Sequence, residues 1–266
     1  MALSQQAVDL TLIRSWVLEA GRIALSRSAN RSVNIKADFT PVTQIDQDIE
    51  DFLLEKITQN YPSHAVLAEE GGSRSGSDFL WIIDPIDGTR AYASGLPVWG
   101  VSVGVFHRGE PFAGVFHMPV TGDTYWGTRE EAYHNENRLV PRASVDLHSP
   151  LAFIAVPSSV HRHFEISFHR IRSLGSVTAH LAYVAYGSAT AAVFHRVRIW
   201  DMAAILPALR TSQTELVYLS GKAFHPGDLL NGEQLAEPLV AAHASIIEEV
   251  RGFIKLKPGE NNLSSD

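Results

Sequence analysis

The chain of 266 residues is 45% hydrophobic and 19% charged, an ordinary globular composition long enough for a substantial core in one or two domains. A formal charge of -7 excludes the broad phosphate-neutralising surface that nucleic-acid binding needs, so a small anionic ligand must find positive partners locally, in metal ions or helix N-termini. The lack of cysteine excludes disulfides and thiolate chemistry.

Residues 7–26 carry Val8, Leu12, Trp16, Ala20 and Ile23 at helical spacing, which predicts an amphipathic helix at the start of the fold. SVNIKAD, from residue 32, alternates as a strand does. Thr43 then stands before QIDQDIEDFLLEKITQ with Asp46 three residues on, a good helix N-terminus, and Pro62 closes that segment. AVLAEE (65–70) and FLWIID (79–84) read as buried strands, one ending on Glu69 and Glu70 and the other on Asp84. Residues 98–128 predict an antiparallel meander with turns at RGEP and VTGD.

In the second half, LAFIAV (151–156) reads as a strand, SVTAHLAYVAYG as a helix stopped by Gly187, and AAVFH (191–195) as a strand. DMAAILPALR is expected to be a helix that opens on Asp201 and is bent or shortened by Pro207. EPLVAAHASIIEEVRGFI, from residue 237, is expected to be a helix whose apolar stripe docks on the body. Helices and strands alternating loosely around an antiparallel middle predict a layered α/β or α+β fold with mixed and antiparallel sheets. No linker or fixed repeat divides the chain, so a single unit over 1–266 is expected, with approximate halves 1–145 and 146–266. MALSQQAVDLTLIRSW lacks a secretion-signal pattern and no apolar run reaches membrane-spanning length, so a soluble cytoplasmic protein with no membrane partner is expected.

The chemistry concentrates in WIIDPIDGT (81–89), where Pro85 fixes its own φ between Asp84 and Asp87, so that a rigid turn can aim both carboxylates at one point. Gly88 lets backbone come close to a ligand, and Thr89 can open a short helix whose N–H groups face an anion. A capping aspartate beside a solvated turn aspartate gives the same Asp-x-x-Asp spacing. Glu69, Glu70 and Asp201, also placed where apolar elements stop, favour a shared site. Carboxylates gathered without His or Cys suit a hard oxygen-seeking cation, Mg²⁺ rather than Zn²⁺. Cations between the acids would relieve their repulsion.

In chain order, KADFTPVTQIDQDIE (36–50), YPSHAVLAEEG (61–71), WIIDPIDGT with GLPVWGVSVGV, GSVTAHLAYVAYG (175–187) and WDMAA (200–204) resemble the inositol monophosphatase family, Mg²⁺-dependent, lithium-sensitive phosphatases related to fructose-1,6-bisphosphatase. The resemblance implies an αβαβα sandwich of the sugar-phosphatase type and a phosphomonoesterase using two to three Mg²⁺ ions. It gives Glu69, Asp84 and the Ile86 carbonyl to one metal, and Asp84, Asp87 and Asp201 to a second. Thr89, oriented by Asp46, and Glu69 would position the attacking water. Gly88 and Thr89 would receive the phosphate, with Gly175, Ser176, Arg90 and His195 on the substrate side, and Glu70 would stand behind the ligand shell. Displacement is expected in line, with no covalent enzyme intermediate. A homodimer is the expectation from the relatives.

Three departures bear on the substrate. Phe194, followed by His195, stands where inositol phosphatases usually carry a glutamate for ring hydroxyls; the Gly-Gly usual beyond the last aspartate's helix is missing; and Arg90 follows DGT, where it can meet a second anionic group or face solvent. Phe194 thus weakens inositol itself as the substrate. The resemblance implies an inositol-phosphate or sugar-phosphate type of substrate, with histidinol phosphate or adenosine 3',5'-bisphosphate as alternatives, and a non-catalytic phosphate-binding protein as the reading of another class. The Asp-x-Asp-Gly-Thr signature of haloacid-dehalogenase phosphatases fails here, because Pro85 holds the nucleophile's position. His161, His163 and His169 in HRHFEISFHR read as a solvated face rather than a zinc site. Trp81, Trp99 and Trp200 read as core packing, and no role is read for His64.

Overall fold

The computed structural model describes residues 8–28, 33–35 and 41–258, so residues 36–40 of the first family-like stretch lie outside it. Helix α1 (Leu10–Arg27) is capped by Asp9, whose Oδ1 accepts the N–H of Thr11 at 2.9 Å and of Leu12 at 3.1 Å. Its buried stripe runs through Ile13, Trp16, Val17, Ala20 and Ala24, while Leu12 and Ile23 sit on the half-buried margin. Strands β1 (Val33–Ile35) and β2 (Pro41–Thr43) pair as an antiparallel ribbon that feeds straight into α2 (Gln44–Asn60).

A large sheet follows, built from β3 (Ala65–Ala68), β4 (Ser73–Arg74), β5 (Phe79–Asp87), β6 (Gly100–His107), β7 (Glu110–Met118), β8 (Asp123–Thr128), β9 (Ala132–His134) and β10 (Asn137–Arg138). Short helix α3 (Thr89–Ser94) joins β5 to β6. The strand order is β10-β9-β8-β7-β6-β5-β3-β4, antiparallel throughout except where β3 runs parallel to β5. The predicted meander is present as β6, β7 and β8.

The second half contains β11 (Ile154–Ala155), α4 (Val160–His163), β12 (Phe164–Ile166), β13 (Ile171–Arg172), α5 (Val177–Tyr186), β14 (Ala191–Phe194), α6 (Leu206–Ser212), β15 (Thr214–Tyr218), β16 (Leu239–His243), α7 (Ile247–Gly252) and β17 (Ile254–Leu256). Five of its strands form a mixed sheet in the order β13-β11-β14-β16-β15, and β12 pairs with β17. Only Ile154 and Ala155 of the predicted strand LAFIAV join the ladder.

Alternation along the strands shows how the layers stack. In β5, Trp81 and Ile83 face α1 and α2, while Ile82 enters a core shared with α5, α6 and the second sheet. In β14, Ala192 and Phe194 face that shared core, and Ala191 and Val193 face a third one with α7. The order is helices, sheet, helices, sheet, helix, the αβαβα sandwich.

Two expectations are corrected. Residues 237–254 are not one helix: Leu239–His243 form β16, buried on both faces between β14 and β15, followed by the short α7 and β17. A run apolar on both faces carries no period-2 signal, so its strand character comes from its neighbours. The helix expected to open on Asp201 is also absent there. Ile199–Asp201 is a single 3-10 turn, and α6 starts at Leu206 with Pro207 in its first turn, where a missing N–H breaks no helical bond. Pro207 therefore starts the helix.

The turn after Asp201 lies directly on the large sheet. A Cβ on Gly114 would sit 2.0 Å from the Ala204 carbonyl oxygen, and one on Gly104 2.6 Å from the Ala203 carbonyl carbon. Only glycine at these strand positions admits the close approach that brings Asp201 over β5 and β6.

Candidate active site

Strand β5 does not stop at Asp84, as expected, but continues through Pro85 to Asp87. Asp84 lies opposite Ser102 and Asp87 opposite Gly100, so three residue steps on β5 face two on β6. This bulge accommodates the proline, which has no ladder donor. In a regular strand, residues three apart point to opposite faces; the bulge re-aims Asp87 to the side of Asp84.

Asp84, Asp87 and Asp201 present carboxylate oxygens that all lie within 4.8 Å of one another. Asp84 and Asp87 are buried and Asp201 is partly exposed, so the group opens to solvent on one side. Burial pushes the Asp84 carboxyl well above its usual range, and the charges of Glu69, Asp87 and Asp201 push it further. Glu69, the residue after β3, is the first of the charges that act on Asp84, which puts it beside the same site. Asp201 is raised by burial and then by Asp87 and Glu69, while Arg198 opposes the shift. Asp84 Oδ1 is buried without a hydrogen-bond partner. Crowded oxygen donors, one of them buried without a hydrogen-bond partner, fit a hard divalent cation.

Helix α5 braces two of these acids. The Ser176 hydroxyl donates to Asp87 and accepts the Ala179 N–H at 2.9 Å as the helix cap. The Thr178 and Val177 N–H groups donate to Asp87 at 2.7 and 3.3 Å, and the Thr178 hydroxyl donates to the Asp201 carbonyl at 2.7 Å. The Arg198 N–H donates to Asp201 Oδ2 at 2.6 Å. Burial raises the Asp87 carboxyl above its usual range, and the bonds from Ser176, Thr178 and Val177 pull it back. Ser176, expected on the substrate side, thus gives its hydroxyl to a metal-ligand candidate. Its place just before a helical run is the signal that points to a cap.

Gly88 caps α3 with φ +90, and a Cβ there would meet the Gly175 carbonyl at 3.1 Å and Ser176 Cβ at 3.2 Å. The starts of α3 and α5 therefore touch, bringing Gly88, Thr89, Gly175 and Ser176 together beside Asp87. The Thr89 hydroxyl donates to the Ile86 carbonyl at 3.1 Å. The expected contact with Asp46 is not made. Asp46 Oδ2 instead accepts the Thr43 N–H at 2.8 Å and the Thr43 hydroxyl at 2.5 Å, because reaching back satisfies the free donors at the start of α2. Its Oδ1 is buried without a hydrogen-bond partner, and burial, ahead of the charge of Glu70, lifts its pKa from 3.8 to about 6.

Arg90 is exposed at the start of α3. His195, just after β14, is buried, with Nε2 3.4 Å from the Ser159 hydroxyl and its ring 4.7 Å from that of His163. Phe194 is turned into the shared core, its ring 6.4 Å from that of His180. Glu50, read in the sequence only as part of a family-like stretch, accepts the N–H groups of Glu70 and Gly72, both at 2.8 Å. Charge spacing on α2 puts Glu50 one turn from Asp46, but nothing local shows what it reaches.

Residues 6–255 match the model of the inositol monophosphatase family. The chain belongs to this family. It is 30% identical over 219 residues, 79% of this chain and 85% of the relative, to a fructose-1,6-bisphosphatase/inositol-1-monophosphatase of Thermotoga maritima. It is 31% identical over 211 residues, 75% of this chain and 81% of the relative, to a histidinol-phosphatase of Chlorobaculum parvum. A solved IMPase/NADP phosphatase complexed with Mg²⁺ and phosphate aligns with a TM-score of 0.79 over 91% of this chain and 93% of its own, at 21% identity, and shares the fold. As a member of the inositol monophosphatase family, the protein is a phosphoric monoester hydrolase, of a family that uses divalent metal ions. Among the described residues, no helix is long and apolar enough to cross a membrane.

Proposed function

We propose that the protein hydrolyses a small metabolite phosphate monoester of the inositol-phosphate or sugar-phosphate type, using two to three Mg²⁺ ions. The observation that carries this reading is the convergence of Asp84, Asp87 and Asp201 carboxylate oxygens within 4.8 Å of one another, with Asp84 Oδ1 buried and without a hydrogen-bond partner. Glu69, Asp84 and the Ile86 carbonyl would hold one ion, and Asp84, Asp87 and Asp201 a second. When bound, the ions supply charge that acidifies a water and neutralises phosphoryl oxygens. Thr89 and Glu69 orient the attacking water, and the Glu69 carboxylate accepts its proton. The N–H groups of Gly88 and Thr89, at the start of α3, receive the phosphate oxygens. The new P–O bond forms in line with the ester bond that breaks, and the leaving alkoxide takes a proton from solvent water to depart as the alcohol, with no phosphorylated side chain.

A second reading concerns the leaving group. Phe194 is buried in the core, so that position offers no acceptor to ring hydroxyls, and the similar histidinol-phosphatase makes histidinol phosphate a named alternative, with adenosine 3',5'-bisphosphate beside it. Arg90 and His195 belong to the leaving-group side in either case. The core shared between the two sheets supports one unit over the whole chain. A homodimer is the state that the family resemblance implies. Phosphate release from myo-inositol phosphate, fructose 1,6-bisphosphate, histidinol phosphate and adenosine 3',5'-bisphosphate, with and without Mg²⁺, tests the reading. Release from none of them in Mg²⁺ counts against it.

A further inference from the structure

Glu50 lies one turn beyond Asp46 on α2 and is buried at 4% exposure despite its carboxylate. Both oxygens are engaged by backbone: Oε2 accepts the Glu70 N–H and Oε1 the Gly72 N–H, each at 2.8 Å. Burial, with the charges of Glu70 and Asp51, opposes ionisation there, and these two bonds favour it. The turn they hold comes directly after Glu69. Glu69 is tied on its other side to the large sheet, its N–H donating to the Ile83 carbonyl at 3.2 Å, and Ala68 donates to the Gly72 carbonyl at 2.9 Å to close the turn. A Cβ on Gly72 would sit 2.8 Å from Glu50 Oε1 and 2.7 Å from Leu54 Cδ1, so glycine lets the chain approach the carboxylate. Glu69 is thus the first residue after β3, tied to the sheet through its N–H and leading into a turn clamped from α2.

We infer that Glu50 is a positioning residue for the metal site: by clamping residues 70–72 it sets the direction in which Glu69 presents its carboxylate to Asp84 and Asp201. The inference rests on the metal site proposed above. A groups-behind-the-ligand role of this kind typically controls metal affinity by ten- to a hundredfold. Two substitutions reach the clamp from opposite sides. Glu50→Gln keeps the shape but turns an amide donor toward one of two N–H donors, and Gly72→Ala keeps Glu50 but pushes its oxygen off the turn.

The experiment is calorimetric titration of full-length wild type, Glu50→Gln and Gly72→Ala with Mg²⁺, alongside their melting curves. The expected result is two cooperatively folded variants whose Mg²⁺ dissociation constants rise about tenfold or more. A residue that only staples the framework would lower the melting temperature and leave the constant within about twofold of wild type, which overturns the inference. Failure of both variants to fold also overturns it, since Glu50 would then serve the fold and not Glu69. A wild type that binds no Mg²⁺ removes the metal site itself, an outcome distinct from wild-type binding that the variants leave unchanged.

Discussion

The backbone N–H of Thr178 donates to Asp87 Oδ2 at 2.7 Å, joining the first turn of α5 to an acid 91 residues earlier in the chain. The unsatisfied donors of that turn offer partial positive charge where Asp87 is buried. The same turn reaches Asp201 through the Thr178 hydroxyl, so one helix start braces acids from both halves of the chain.

Ser176→Ala removes the cap of α5 and one donor to Asp87 together. We expect a loss of about 1 kcal/mol in stability, the usual cost of a lost N-cap, with weaker Mg²⁺ binding. Urea denaturation and Mg²⁺ titration check both parts. An unchanged Mg²⁺ affinity would show that Asp87 is held adequately without the serine.

Asp84→Asn deletes one charge of the proposed metal site while keeping the shape of the side chain. Turnover should fall roughly a thousandfold or more, since metal charge accounts for several kcal/mol of barrier lowering. In chelator, the variant should melt at the same temperature as wild type or higher, because a buried repulsion is gone. Mg²⁺ should raise the melting temperature of wild type alone. Turnover retained at high Mg²⁺ would argue against Asp84 as a metal ligand.

Asp46 supplies a pH signature with a definite sign. Its folded pKa of about 6 exceeds the usual 3.8, so the folded state binds this proton more tightly than the unfolded chain does. Its contribution is therefore fully present below 3.8 and is lost as pH rises through about 6. Buried His180, lowered to about 4, works the other way, losing its contribution as pH falls from 6.5 toward 4. The test is accordingly the difference between wild type and Asp46→Asn in chelator. Wild type should lose ground to the variant between pH 4 and 7, read by denaturant midpoints at each pH; a difference independent of pH would show that Asp46 is not raised.

Gly114→Ala places a Cβ against the Ala204 backbone, which cannot rotate away as a side chain can. A cost of about 1–3 kcal/mol is expected from the forced shift, and Asp201 should move with the turn. Loss of stability together with reduced Mg²⁺ affinity is the expected pair of results in thermal melts and calorimetry.

His64 offers the contrasting case. Its Nδ1 accepts the buried indole N–H of Trp81 at 3.0 Å, and its ring stacks between Tyr61 and Phe79. His64→Leu strands the indole donor and should cost about 1–3 kcal/mol. Mg²⁺ affinity should stay at the wild-type value, which separates a core polar bond from the site's own bracing.

Much of this was legible in the sequence because it is local. The Thr43 and Asp46 pair announces the start of α2, Gly187 the end of α5, and alternation with turn residues the meander β6 to β8. The ordered acid motifs were enough to gather Glu69, Asp84, Asp87 and Asp201 as candidates. Where signals were not local, the reading failed: β16 looked helical because both of its faces are covered, and Pro207 looked like a break in a helix that starts beside it.

What the chain alone determined was which residue types stand at element ends, since capping, turn chemistry and periodicity act over a few residues. Only the tertiary structure decided where they point. A bulge turns Asp87 to the side of Asp84, two glycines let the Asp201 turn rest on the sheet, and Thr89 faces the Ile86 carbonyl rather than Asp46. Those outcomes depend on contacts between segments far apart in sequence, and their energies come from packing and hydrogen bonds that exist only once the layers have closed.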